Sequence, residues 1–120
     1  MAAAEKNRIT FGKFHNVDMR VARVVSARLV EDLDAPCRVV ELDLGELGRR
    51  TSVGQYALVD EGELVGRNIV VCANLAPREM GPYVSEVLML GAPHPDSPEG
   101  QSQATPLFVG DKATPGDLIY

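Results

Sequence analysis

Residues 38–44 read RVVELDL, with Val40, Leu42 and Leu44 alternating against Val39, Glu41 and Asp43. Successive strand side chains point to opposite faces, so this period of two predicts a strand with one buried face. Val21 to Val30 is a Val-rich run interrupted by Arg23 and Arg28, which leaves at least one face wet. Gly45, Glu46 and Gly48 make a turn, and Arg49 to Val53 returns as a hairpin partner. Residues 57–65 (ALVDEGELV) carry a short helical or turn-like pattern, interrupted by Gly62 and closed by Gly66. Asn68 to Asn74 (NIVVCAN) is a continuous apolar run, typical of a strand buried on both faces, and Val84 to Leu90 is the next such run. Residues 92–106 (APHPDSPEGQSQATP), rich in Pro, Ser and Gly, predict a mobile loop. Leu107 to Val109 and Leu118 to Tyr120 look like closing strands around the turn-rich GDKATPGD.

About five short strands, a small helix between the third and fourth, and no βαβ rhythm predict a small all-β barrel. A five-stranded OB-fold barrel, with a short helix and flanking terminal elements, matches that order best. An SH3-like barrel is the rival, and periodicity alone does not separate the two. No internal repeat is present.

Composition narrows this picture. A chain of 120 residues suffices for one compact domain. Hydrophobic residues make up 45% but aromatics only 5%, and Trp is absent, so the core rests on Val, Leu, Ile and Ala. No apolar run approaches the length of a membrane span, and the start MAAAEKNR lacks the apolar centre of a signal peptide; cytoplasmic residence is expected. Cys37 and Cys72 each sit in an apolar strand-like run and read as buried, reduced thiols. His15 and His94 are isolated and no CxxC occurs, so no metal site is expected.

The net charge of −5 argues against a protein coated in nucleic acid. Its distribution says more. Residues 1–28 carry six basic side chains (Lys6, Arg8, Lys13, Arg20, Arg23, Arg28) against Glu5 and Asp18, whereas the remainder carries six against fifteen acidic ones. A polyanion contact would therefore be local and strongly salt-dependent.

Catalytic constellations are lacking. No Walker motif, GxGxxG, HExxH or GxSxG is present. Ser85 and Glu86 are adjacent strand residues and point apart; Glu31, Asp32 and Asp34 gather in a turn that reads as a solvated loop. The expectation is a binding module rather than an enzyme, since small β-barrels bind oligonucleotides or extended chains on one sheet face. With three Phe and three Tyr the stacking platform is thin, so nucleic acid would be read by shape and polar contacts. Tyr56 and Tyr83 lie near the candidate loops, Tyr83 as a lid or a ligand contact. Phe11, Phe14 and Phe108 are assigned to the core or a subunit contact.

Several motifs resemble a known family. Residues 18–22, DMRVA, are similar to the D-[IL]-R-[VI]-G opening of the tRNA-binding OB domain. That domain also occurs in methionyl- and phenylalanyl-tRNA synthetases and in the EMAP-type cytokine module. NLAPREMGPYVSEVLMLG, residues 74–91, resembles a more specific segment, N-[FL]-x-P-R-x-[IM]-G-P-[FY]-x-S-E-V-L-x-L-G, of the CsaA family of export-related chaperones and free-standing tRNA-binding proteins. SVGQ at 52–55 and the tail DKATPGDLIY add to the likeness, which runs from about Phe14 to Tyr120 after an N-terminal extension over 1–13.

The resemblance implies a homodimer of OB barrels over 14–120 with no cofactor and no catalytic centre. It implies tRNA binding by folded shape and, as in CsaA, a surface that holds unfolded or pre-secretory polypeptides. The alternative it implies is an export chaperone or protein-docking module with little RNA binding. By position, Asn74, Arg78, Ser85 and Glu86 match the segment lining the tRNA-binding mouth, with Ser52 and Gln55 across from it. Arg78 would pair with a phosphate, while Asn74, Gln55 and the hydroxyls would bond base edges or riboses. Glu86 would accept from a base amino group or tether Arg78. Two departures stand out. Ala22 replaces the family's Gly, and the turn before the second strand, DAPCRVV, keeps Arg38 as its only cation where the family carries Lys.

Overall fold

A computed structural model describes residues 4–120 of the chain. Its spine is β1 (Met19–Val30), a 12-residue strand. The first half of β1 pairs antiparallel with β4 (Asn68–Cys72) and the second half with β2 (Cys37–Asp43). The β1–β2 register shifts between Val24 and Ser26. Such a bulge bends a strand and raises its twist, so one strand can serve two parts of a curled sheet. β3 (Arg49–Gly54) follows a 3-10 turn and pairs with β2, as the hairpin pattern predicts.

The main sheet runs β10-β4-β1-β2-β3, where β10 is Phe108–Val109, and β7 (Leu88–Met89) also pairs with β4. β10 and β7 thus share the free edge of β4: Phe108 lies opposite Ile69, and Leu88 opposite Cys72. β3 reaches the same segment from the other side. The Thr51 carbonyl accepts from Glu86 N at 2.8 Å, and Ser52 Oγ accepts from Met89 N at 3.3 Å. The sheet therefore curls back on itself through residues 86–89. The class is all-β, as expected.

Ala22, Val24, Ala27, Val40, Leu42, Ile69 and Val71 fill the inside of the curl. The four-residue α2 (Glu61–Leu64), between β3 and β4 as predicted, adds Leu64 to that core. Ala22 is fully buried opposite Ile69, so the methyl group that departs from the family pattern is part of the packing.

β2 departs from the one-faced expectation at its start. Cys37 to Val40 are all buried, because the hairpin of β5 (Arg78–Met80) and β6 (Tyr83–Ser85) covers the outer face there. Val30, Cys37, Val39 and Val53 pack under Leu33, Met80 and Tyr83 as a second apolar cluster. The hairpin turns at Gly81 with φ +57°, where a Cβ would come within 2.7 Å of Leu33 Cδ2. The left-handed backbone there favours glycine, and a larger residue would also have to displace the Leu33 side chain.

Three further segments differ from expectation. Val84 to Leu90 is not one strand; it breaks at Glu86–Val87 where β3 takes over the hydrogen bonding. The segment 92–106 is organised: β8 (Gly91–Pro93) pairs with β9 (Ala104–Pro106), and buried Gln103 donates to Pro36 O and accepts from Ala57 N. Leu118 to Tyr120 forms only a single bridge, Arg20 to Leu118. The predicted extension over 1–13 holds the start of α1 (Phe11–His15), capped by Thr10, while residues 1–3 lie outside the described ones. Phe11, Phe14 and Phe108 are exposed rather than in the core. Cys37 and Cys72 are buried and unpaired with each other. Among the described residues, no helix is long and apolar enough to cross a membrane.

Candidate nucleic-acid interface

The segment 74–91 is first of all a set of ties. Asn74, just past β4, accepts from Asp18 N at 2.9 Å and donates to Asn16 O at 2.7 Å, fixing the entry to β1. Ser85 Oγ accepts from Val53 N at 3.0 Å and donates to Val87 O at 3.2 Å. Glu86 accepts from Thr51 N at 3.0 Å. Gln55 accepts from Ser102 N at 2.9 Å and so holds the 93–103 loop. Ser52 is 1% exposed, inside the sheet. Strand ends that meet at a mouth leave unpaired N–H groups, and these side chains satisfy them.

Arg78 differs from the rest. It is exposed on β5 opposite Ser85, and among the described residues its side chain's one polar contact is with Met80 Sδ at 3.3 Å. Arg78, Ser85 and Glu86 line a shallow pocket of about 90 Å³ whose walls are Leu75, Ala76 and Leu88. The structure thus brings Arg78, Ser85 and Glu86 together, with Thr51 linking them to β3. Glu86 is directed to the Thr51 backbone rather than to Arg78.

Arg38 is placed otherwise than the sequence suggested. It is 8% exposed and turned inward. Its guanidinium donates to Tyr56 O, Val59 O and Ala27 O at 3.2, 3.0 and 2.7 Å. Those carbonyls face inward beside the core, and an arginine with five donors satisfies several at once. Its position opposite Gly54 puts it on the inner face, away from a ligand at the rim.

Tyr56 and Tyr83 are also occupied. Tyr56 donates to Met89 O at 2.9 Å, and burial pushes its hydroxyl pKa up to about 12. Burial likewise raises the Cys37 thiol, which keeps it protonated and unreactive. Tyr83 packs on the second apolar cluster and donates to Asp32 at 2.9 Å, with the Arg28 guanidinium 5.7 Å from its ring centroid.

Two larger concavities flank this region. A cleft of about 560 Å³ is lined by Asp32, Asp34 and Glu79 over Leu33, Cys37 and Met80, and no basic residue lines it. On another face, a groove of about 420 Å³ is lined by Phe11, Phe14, Leu118 and Tyr120 beside Arg20 and Asn74. Arg20 is paired with Asp18 at 2.6 Å. Among the described residues, no three His, Cys, Asp or Glu side chains converge to hold a metal.

Sequence reasoning did not single out Arg49 or Arg67, both exposed. Arg49 was recoverable from the hairpin, because a short turn at 45–48 sets it opposite Asp43. Arg67 is stacked on Phe108, 41 residues later in the chain, and carried no local signal.

This geometry coincides with a known family. The model described as "Putative tRNA binding domain" matches residues 19–117, and the chain belongs to that tRNA-binding domain family. It is 36% identical over 118 residues to the methionine--tRNA ligase of Leptospira biflexa serovar Patoc, covering 97% of this chain and 16% of the ligase. The chain therefore spans only a small part of the curated relatives it matches. Among solved structures, the chaperone CsaA from Bacillus anthracis str. Ames superposes with a TM-score of 0.81 at 28% identity, covering 95% of this chain and 100% of CsaA. The CsaA chaperone protein from Picrophilus torridus gives 0.82 at 25% identity, covering 94% and 100%. The fold is of the CsaA type.

Proposed function

We propose that the chain is a non-catalytic, cytoplasmic tRNA-binding protein that works as a homodimer and reads tRNA by its folded shape. The observation that carries this reading is the family match over 19–117, which includes the whole mouth around Arg78. In that mouth Arg78 supplies the phosphate contact, and Glu86, with one oxygen bonded to Thr51 N, accepts from a base amino group with the other. Ser52, Gln55, Asn74 and Ser85 act by holding the mouth's backbone in place, and Arg38 by holding the inner wall.

The homodimer is supported by the Phe11–Tyr120 groove. Phe11 is 69% exposed and Tyr120 96% exposed, and Val17 and Leu118 extend the apolar area around them. Apolar side chains gathered around one groove favour a protein partner, and a second copy offers the same surface in return. The same apolar surface supports the second reading, holding of unfolded or precursor polypeptides.

Titration of tRNA across a salt series tests the function. Binding should weaken steadily with salt and should fall in Arg78→Ala; salt-insensitive binding, or none, would remove the reading. A monomer mass independent of concentration in sedimentation would remove the dimer. Failure to suppress aggregation of a heat-unfolded client at stoichiometric amounts would remove polypeptide holding.

A further inference from the structure

The register of the sheet lines up a row that no sequence motif marks. Arg49 on β3 lies opposite Asp43 on β2, Asp43 opposite Arg23 on β1, Arg23 opposite Asn68 on β4, and Asn68 opposite Val109 on β10. Five strands thus contribute one position each to a line across the end of the sheet. Neighbouring strands are about 4.8 Å apart, so Arg49 and Arg23 stand about 10 Å from each other.

The row is built to hold its cations. Arg23 Nε donates to Asn68 Oδ1 at 3.2 Å, and Asn68 is 4% exposed and anchored to Gly110 O and Ala113 O at 3.3 and 3.0 Å. Arg67, the residue before Asn68, lies 3.9 Å from the centroid of the exposed Phe108 ring. Stacking on the ring face fixes the guanidinium plane and leaves its N–H edge free for an acceptor. The one carboxylate in the row, Asp43, is turned to the Gly45 backbone N–H at 2.8 Å. Among the described residues, neither Arg49 nor Arg67 pairs with a carboxylate.

Arginines that pair with no carboxylate, two of them held by Asn68 and Phe108 and their local acid engaged elsewhere, suit a chain of phosphates. We propose that Arg49 and Arg23 of this row, with Arg67 beside its β4 end, form a second RNA contact, taking the phosphodiester backbone of the same tRNA whose other contact is at Arg78. β3 joins the two, from Arg49 at one end to Val53 and Ser85 at the other. The inference rests on the tRNA-binding reading and adds to it a second cationic surface.

The test is a salt titration of unfractionated tRNA against the full chain, wild type beside Arg49→Ala/Arg67→Ala. Neither guanidinium bonds a buried group, so the double variant keeps its fold, which melting checks. With two phosphate contacts gone, the slope of log K against log salt should shrink by about 1.4 to 1.8. Arg49→Lys/Arg67→Lys keeps both charges and should keep the slope. Wild-type binding with an unchanged slope in the alanine variant overturns the row and leaves the tRNA reading intact. Loss of the slope in the lysine variant as well overturns the row as a charge contact. A wild type that does not bind tRNA overturns the reading itself, and the row with it.

Discussion

The outer face of β2 and β3 has two ends, and they are unlike in every respect that matters for a ligand. At the Cys37–Gly54 end the face is covered by the β5–β6 hairpin, which supplies Glu79, and the loop before β2 supplies Asp32 and Asp34. At the Asp43–Arg49 end Arg49 on β3 and Arg23 on the adjoining β1 are exposed, with Arg67 beside them. The covered end holds the segment that carries the family likeness. Most of the polar side chains in that segment are spent on backbone groups, which satisfies strand ends, while Arg78 pairs with no carboxylate among the described residues. The open end has no motif at all, yet it holds its arginines ready. A recognisable segment therefore marks the architecture of a mouth, and the arginines of the proposed second contact sit about four strand residues away, roughly 13 Å.

Four variants sharpen or break this contrast, and the largest effect belongs to Arg38. Arg38→Ala strands three inward-facing carbonyls and should cost about 3 kcal/mol or more in urea unfolding. Normal stability combined with weakened tRNA binding would instead return Arg38 to the ligand site. Asn74→Ala removes two ties to the β1 entry and should cost about 1 to 2 kcal/mol by the same measurement, with tRNA binding retained in the folded protein.

Tyr56 comes next. Its folded pKa, about 12, lies above the ordinary tyrosine value near 10, so the folded state holds the proton longer. That stabilisation is complete below pH 10 and is lost as pH rises from 10 through 12. Tyr56→Phe should lose about 1 kcal/mol at neutral pH with its hydrogen bond to Met89 O, and its stability should fall less steeply than wild type across pH 10–12. Smallest is the acidic cleft. Asp32→Asn/Asp34→Asn/Glu79→Gln should raise tRNA affinity a few-fold at low salt and little at physiological salt, where the Debye length is about 8 Å. A change as large as that of the Arg49/Arg67 pair would mean that the two ends act as one surface.

How much of this was legible beforehand follows from the range of each signal. The period-two pattern of 38–44, the Val-rich run from Val21 and the apolar run from Asn68 located β1, β2 and β4, because alternation is a property of the strand itself. The small helix before β4 was legible from its glycine boundaries. The two-sided burial of Cys37 and Val39 was not, since it depends on a hairpin some 40 residues later covering that face. The organisation of 92–106 was hidden for a similar reason: Gln103 finds its partners at Pro36 and Ala57, and nothing local shows that. Among the site residues, Arg78 is exposed on β5. Arg38 carried the right charge in the right turn, but strand register turned it inward. The alignment of Arg49 with Arg23, and of Arg67 beside them, needed the register of several strands at once and so lay beyond any local reading.

The most direct measurement is a tRNA titration of the isotope-labelled full chain followed by backbone amide chemical shifts. The account predicts progressive shifts at Arg23, Arg49, Arg67 and Arg78, with Asp32 to Asp34 unmoved. Shifts confined to the acidic loop, with those four arginines silent, would contradict it.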